Sequence, residues 1–321
     1  MHYALPYKTK QFFFVLIKLS IVLGAGFFIY HKLVNNSDLD VSSFIQFTSQ
    51  NSVFSLRNTV LLVVLSVLNW FLETLKWQDL ASEIKKINFK NALEQSLGAL
   101  TASLFTPNRI GEYGAKAMYY AAHLRKKIML TNLLSNMLQM SITTIFGIIG
   151  FSVFLQKHNI GVNYNKISQF LIVAFCVVLV ILLGFLQNRF KIKGCSTKHT
   201  KAFLFHFPKQ KLYLGFVLSL ARYIVFSFQF FLLLHFFKAD FSYIEAITAI
   251  TSMYLLASII PSIFIFDVVI KGSVAVYLFS FLQINELIVL SSITVMWLFN
   301  FVLPSIFGSY YVITFKLPKN I

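Results

Sequence analysis

Charged residues are scarce in this chain. They make up 12% of its 321 residues, about half the ~25% carried by a soluble domain. Hydrophobic residues reach 57%, and mean hydropathy is +0.73. So little charge excludes an ordinary soluble protein and indicates an integral membrane protein. Acid is scarcer still, with 11 Asp and Glu against 28 Lys and Arg, a net charge of +17. That excess does not form a nucleic-acid face, because the basic residues lie between apolar runs, where they set topology and meet anionic headgroups. Only two cysteines occur, Cys176 in an apolar run and Cys195 in a basic loop, which excludes a disulfide framework or a cysteine metal site. No G-x-x-x-x-G-K-[ST] loop is present, so direct ATP drive is not expected. There is no D-x-D-like motif and no His/Cys cluster, and the histidines are scattered near loop ends. No metal, no cofactor and no catalytic residue is assigned. No segment is long enough for an appended soluble catalytic domain.

What is present is a series of apolar runs. Residues 12–30, 58–76, 128–155, 170–186, 212–237 and 287–315 are each long enough to span. The first has no A-x-A-like cleavage site after it and reads as a retained span rather than a signal peptide. Trp70 and Trp77, near the end of the second, suit an interfacial belt. Two further regions, 91–124 and 242–283, are broken by polar residues. The first is flanked by Lys85, Lys86 and Lys90 before it and by Arg125, Lys126 and Lys127 after it. Both flanks are basic, so both belong on the cytoplasmic side, and 91–124 reads as a re-entrant hairpin.

Carrying the positive-inside rule through the strongly basic loop 189–211 to Lys316 requires 242–283 to be a second hairpin, entered from outside. The expected fold is an all-α polytopic membrane protein of about six transmembrane helices and two re-entrant helical hairpins. Its two halves, 1–155 and 156–321, form an inverted repeat of span, span, hairpin, span. Both termini are cytoplasmic, and the plasma (inner) membrane is the expected location.

The hairpins share a pattern. Pro107 and Gly111 break the first, followed by Glu112 and Lys116 four apart. Pro261 breaks the second, followed by Asp267 and Lys271 four apart. Each acid and base falls on one helix face. An ionisable residue at membrane depth is a functional candidate, although each pair also neutralises itself. Arg222 falls near the middle of 212–237 and needs a partner, as a phosphate or carboxylate site or as a structural ion pair. Ser219 and Gln229 can share its face. Glu73 and Lys76, three apart, can pair. Asn132, Asn136 and Gln139 line one face of 128–155, as helix–helix glue or as the wall of a headgroup path.

At these residues the chain resembles the lysylphosphatidylglycerol synthase transmembrane region, a flippase-like membrane family. The family's TPxRxGE-like segment reads Thr106-Pro107-Asn108-Arg109-Ile110-Gly111-Glu112, with Asn108 where Gly is usual. The second hallmark corresponds to Pro261 to Gly272, without the usual glycines and with Lys271 as the basic residue. The resemblance implies lipid translocation or lipid binding rather than tRNA-dependent synthesis. The leading expectation is therefore a lipid translocase, flippase- or scramblase-like and transporter-like rather than enzymatic, acting on a phospholipid or other anionic amphiphile. Arg109, Glu112, Lys116, Arg222, Asp267 and Lys271 are the expected headgroup-binding residues. Glu73, Asn132, Asn136, Gln139 and Gln229 support a polar path. The alternative is a membrane transferase on a lipid or lipid-linked substrate, with Glu112 or Asp267 as general base. The expected partners are membrane lipids with anionic headgroups, with a homo-oligomer or a partner enzyme recruited through the 189–211 loop as a further possibility, and no nucleic acid.

Overall fold

The computed structural model describes residues 53–104, 106, 109–158, 203–259 and 267–318, with isolated positions 16, 19, 20, 23 and 49; the side chains of 267–271 fall outside it. The first expected span apart from those isolated positions, the fourth, most of the 189–211 loop, Pro107 and Pro261 therefore lie outside the described residues.

The described chain is helical. Its elements are α1 (Leu56–Ala81), α2 (Phe89–Ser103), α3 (Gly111–Met118), α4 (Arg125–Lys157), α5 (Lys209–Phe236), α6 (Tyr243–Ile259), α7 (Asp267–Ser280), α8 (Glu286–Trp297), a π-helical segment (Leu298–Val302) and α9 (Leu303–Thr314). Among the described residues, four stretches are long and apolar enough to cross a membrane: α1, α4, α5 and the composite Glu286–Thr314, of 26, 33, 28 and 29 residues. These are the second, third, fifth and sixth spans expected from the sequence. The broken regions yield shorter helices, of 15 and 8 residues for α2 and α3 and 17 and 14 for α6 and α7.

Local chemistry explains the helix ends. The Ser55 hydroxyl accepts from the Asn58 N–H, the Asn88 side chain from the Asn91 N–H, and Asn285 from the Leu287 N–H. Each satisfies a donor that the first helical turn leaves unpaired. Between Thr106 and α3 the chain turns through Arg109 at φ 56°. The Gly111 N–H donates to the Thr106 hydroxyl at 3.0 Å, and a Cβ on Gly111 would stand 3.0 Å from the Ala102 carbonyl. A glycine therefore fits where α3 starts against α2.

Burial is inverted relative to a soluble bundle. Val60, Val64, Val67, Ile148, Ile149, Ile306 and Phe307 face outward, whereas Asn69, Glu73, Lys76, Glu112, Lys116, Asn132 and Gln229 are buried. Lipid tails can cover the first set, while the second must be satisfied within the protein. Two apolar layers flank the polar centre. One, on the side of Leu62, gathers Phe154, Phe230, Ile250, Phe279 and Val295. The other, on the side of Trp77, gathers Ala92, Ala117, Tyr120 and Ile128.

Trp70 and Trp77 do not form an interfacial belt. Both are buried, and both indole N–H groups are used inside the bundle, on the Asn300 carbonyl and the Gln95 side chain respectively. The sequence shows that these rings stand near a span's end but not that other helices cover them.

Helices α4 and α6 approach closely through Gly147 and Gly150, the small-residue packing common between membrane helices. A Cβ on Gly147 would lie 2.5 Å from the Leu255 Cβ, and one on Gly150 would run into the Thr251 side chain. At the rim of this contact Lys157 and Glu245 pair at 2.5 Å. The Lys157 ammonium, with the Ser242 N–H and hydroxyl, holds the Glu245 carboxyl down at about 2. Gly150→Val is expected to destabilise the protein by about 1–3 kcal/mol through overpacking, read as a lowered thermal midpoint in detergent. Gly114→Ala, where the added Cβ meets nothing within 4 Å, is expected to cause no loss in the same measurement.

Candidate functional site

The polar centre begins with a proline. Pro304 has no N–H, so the Asn300 carbonyl four residues before it loses its usual helical donor. The chain widens there into a π segment, in which the Leu303 N–H turns to the Leu298 carbonyl and leaves the Phe299 carbonyl without its usual donor. One face of α1 supplies the missing donors. The Ser66 hydroxyl donates to the Phe299 carbonyl at 2.5 Å and the Trp70 indole to the Asn300 carbonyl at 3.0 Å. The Asn300 side chain joins this seam, accepting from Asn69 and donating to Gln229, each at 2.9 Å. Gln229 donates in turn to the Leu62 carbonyl.

One turn further along α1, Glu73 collects cations. Its Oε2 accepts from Lys76 at 2.7 Å and from Arg222 of α5 at 2.5 Å. Arg222 also donates to Asn69 at 2.8 Å. A second cluster sits at the start of α3. Glu112 accepts from Lys116 at 2.7 Å and from Arg109 at 3.1 Å. Lys116 donates to the Asn132 carbonyl oxygen at 2.9 Å and lies 4.1 Å over the Trp77 ring. The Trp77 indole donates to Gln95, which also accepts from Tyr120. A small cavity lies between the two clusters and touches Glu73, Ser96, Arg109, Glu112, Lys116 and Arg222.

The structure thus brings together Arg109, Glu112 and Lys116 at and on α3, Glu73 of α1 and Arg222 of α5. Asn132 and Asn136 border them, Asn136 donating to the Tyr113 hydroxyl at 3.0 Å. Gln229 stands one relay away, through Asn300 and Asn69. Gln139 is half-buried on α4, its carbonyl oxygen without a partner. Ser219 is buried, its hydroxyl likewise unpartnered. Asp267 and Lys271 fall in the first two turns of α7, with side chains outside the described residues. Lys76, Asn69, Trp70, Ser96, Gln95 and Asn300 belong to the site but were not singled out as site residues by sequence. A signal existed in α1, where Ser66, Asn69, Glu73 and Lys76 recur at helical spacing within an apolar span. Among the described residues, no group of three His, Cys, Asp or Glu is placed to hold a metal.

The sequence model of the lysylphosphatidylglycerol synthase transmembrane region matches residues 15–308. The chain belongs to that family. Membership makes it an integral membrane protein of a family associated with membrane lipids. No curated protein and no solved structure matches the chain significantly. In this family member the TPxRxGE-like segment supplies Arg109 and Glu112 to one buried cluster, and the neighbouring spans supply Glu73 and Arg222 to the other.

Glu73 is the shared counter-ion of two cations, one of them 1% exposed. Glu73→Gln strands Lys76 and Arg222 in the interior and is expected to cost about 3–5 kcal/mol of stability. Lys157→Gln, at the exposed rim pair, is expected to change the melting temperature little. Thermal unfolding of both variants in the same detergent makes the comparison.

Proposed function

We propose that this protein is a lipid translocase that binds the anionic headgroup of an amphiphile and moves it between leaflets. The observation that carries the reading is the cluster of buried Glu73, Lys76, Glu112 and Lys116 with the partly exposed Arg109 and Arg222 about one small cavity. A headgroup cannot cross bare hydrocarbon without a large desolvation cost. A polar centre between two apolar layers offers it hydrogen bonds and counter-charges part-way. Arginine suits a phosphate because its planar fork can engage two oxygens.

In this reading α2 and α3 form a re-entrant hairpin from the cytoplasmic leaflet, and α6 and α7 form its counterpart from the other leaflet. The halves 1–155 and 156–321 are an inverted repeat, as in many transporters. Arg109 and Lys116 serve the cytoplasmic side, Arg222 the midplane, and Asp267 and Lys271 the opposite side. The plasma membrane is the proposed location, with both termini cytoplasmic. The shortness of α2, α3, α6 and α7 supports the hairpins, as do the basic flanks 85–90 and 125–127.

Two measurements test this. Protein reconstituted in vesicles carrying fluorescent lipids, bleached by a reductant from outside, is expected to expose inner-leaflet lipid faster than empty vesicles do. Equal rates over a panel of anionic and zwitterionic headgroups would sink the translocase. Single cysteines at Asn108 and Phe264, in a cysteine-free background, are expected to react with an impermeant maleimide from opposite sides. Labelling from one side would remove the inverted repeat.

A further inference from the structure

The two clusters do not balance. Lys76, Arg109, Lys116 and Arg222 share only the carboxylates of Glu73 and Glu112. Two positive charges are left over: the buried Lys76 and Lys116 each hold a carboxylate at 2.7 Å, and Arg109 and Arg222, 35% and 21% exposed, must share the same two. Among the described residues, no third carboxylate lies within ion-pair distance of these four cations. Asp267 and Lys271, one acid and one base, add no net charge as a pair. Buried charge without a counter-ion is costly, so this interior is short of an anion.

Hydrogen-bond donors are in surplus at the same place. The Ser96 hydroxyl, on a residue 3% exposed, has no partner, and it borders the cavity. The Arg109 Nε–H beside it is also unpartnered, as is the Asn132 amide nitrogen behind Lys116. These donors converge on one small cavity, so one group that reaches it can meet both surplus charges if it brings several acceptor oxygens.

We infer that the cluster selects an amphiphile whose headgroup carries two negative charges on a terminal phosphate, a phosphate monoester or diphosphate, over singly charged diesters. The inference rests on the headgroup-binding reading above and narrows its substrate class. A terminal phosphate supplies three acceptor oxygens and close to two negative charges above its second ionisation, near pH ~6. A diester lipid supplies one charge and leaves one cation bare. A zwitterionic lipid brings a cation of its own and leaves both bare.

The test is binding to the full chain in detergent, followed by tryptophan fluorescence, because Trp70 borders the cavity. The probes are short-chain phosphatidic acid, phosphatidylglycerol and phosphatidylcholine, and inorganic phosphate. At pH 8, phosphatidic acid is expected to bind about tenfold or more tightly than phosphatidylglycerol, with phosphatidylcholine weakest. At pH 5 phosphatidic acid carries a single charge, and the preference is expected to vanish. Glu73, Lys76, Arg109, Glu112, Lys116 and Arg222 face the cavity or pair with groups that do, and Asp267 and Lys271 lie on α7. Phosphatidylglycerol is singly charged at both pH values, so the change in its own affinity reports titration of these groups, and the larger change for phosphatidic acid reports the ligand's second charge. Lys76→Gln removes one surplus charge and is expected to shrink the ratio at pH 8. The pH comparison on the unaltered protein stands even if that variant does not fold.

Equal affinities for the two anionic lipids at pH 8, an undiminished preference at pH 5, or no saturable binding of phosphatidic acid would each overturn the inference. Inorganic phosphate binding as tightly as phosphatidic acid would assign the site to the free ion and overturn its lipid character. Vesicles that exchange phosphatidylglycerol and phosphatidic acid at equal rates would uphold translocation while removing this selectivity.

Discussion

The interior depends on the Glu73 carboxylate. Its Oε2 holds Lys76 of its own helix and Arg222 of α5 at 2.7 and 2.5 Å, and this joins α1 and α5 through one charged unit. Neither cation is tolerable alone among the apolar side chains that surround it. Arg222 stands in the middle of α5, where insertion of an unpaired charge costs at least ~2.5 kcal/mol. Once Glu73 is in place, Arg222 is free to turn its Nε–H to Asn69. Asn69 then ties the charged unit to the uncharged seam of Asn300 and Gln229. The packing of α1 against α5, and of both against the π segment, follows from keeping these groups satisfied.

The seam in turn rests on an imperfection in the last span. Pro304 denies a donor to the Asn300 carbonyl, the π turn takes the Leu303 N–H away from Phe299, and a helix that lay against lipid at that point would have to leave both carbonyls bare. Ser66 and Trp70 meet them because α1 presents both residues on the face that also carries Asn69 and Glu73. The proline therefore fixes which face of α1 turns inward. The rotation that satisfies the Phe299 and Asn300 carbonyls also aims Glu73 at the centre. Local helix chemistry and the placement of charge are one constraint here.

Much of this was legible in the sequence, within definite limits. The pairs Glu73–Lys76 and Glu112–Lys116 follow from helical spacing alone, and both form. The break at Thr106 to Glu112 marks the end of one helix and the start of another, and α2 and α3 lie on either side of it. Sequence spacing carries no information on which helices meet. Nothing in 212–237 says that Arg222 chooses Glu73 rather than an acid of a hairpin. The two tryptophans illustrate the limit from the other side. Their position near a span's end suits an interface, and only the covering by Gln95 of α2 and Asn300 of the π segment makes them interior. Asn300 was visible as a polar residue in a span. Its role required knowing that Pro304 frees its carbonyl and that α1 passes beside it.

The balance of charge bears on why the centre is built from ions at all. A purely structural seam between membrane helices needs only neutral donors and acceptors, and Asn69, Gln229 and Asn300 provide such a seam a turn away. Ionic groups add a desolvation cost that matched pairs barely recover, and four cations on two carboxylates recover less. A protein selected only for stability has a cheaper solution within the same helices. The surplus of positive charge, the bare hydroxyl of Ser96 and the cavity between the clusters coincide at one point. Their coincidence is accounted for when the interior is completed by something that comes and goes, a group that brings negative charge from the membrane surface and leaves the cations waiting when it departs.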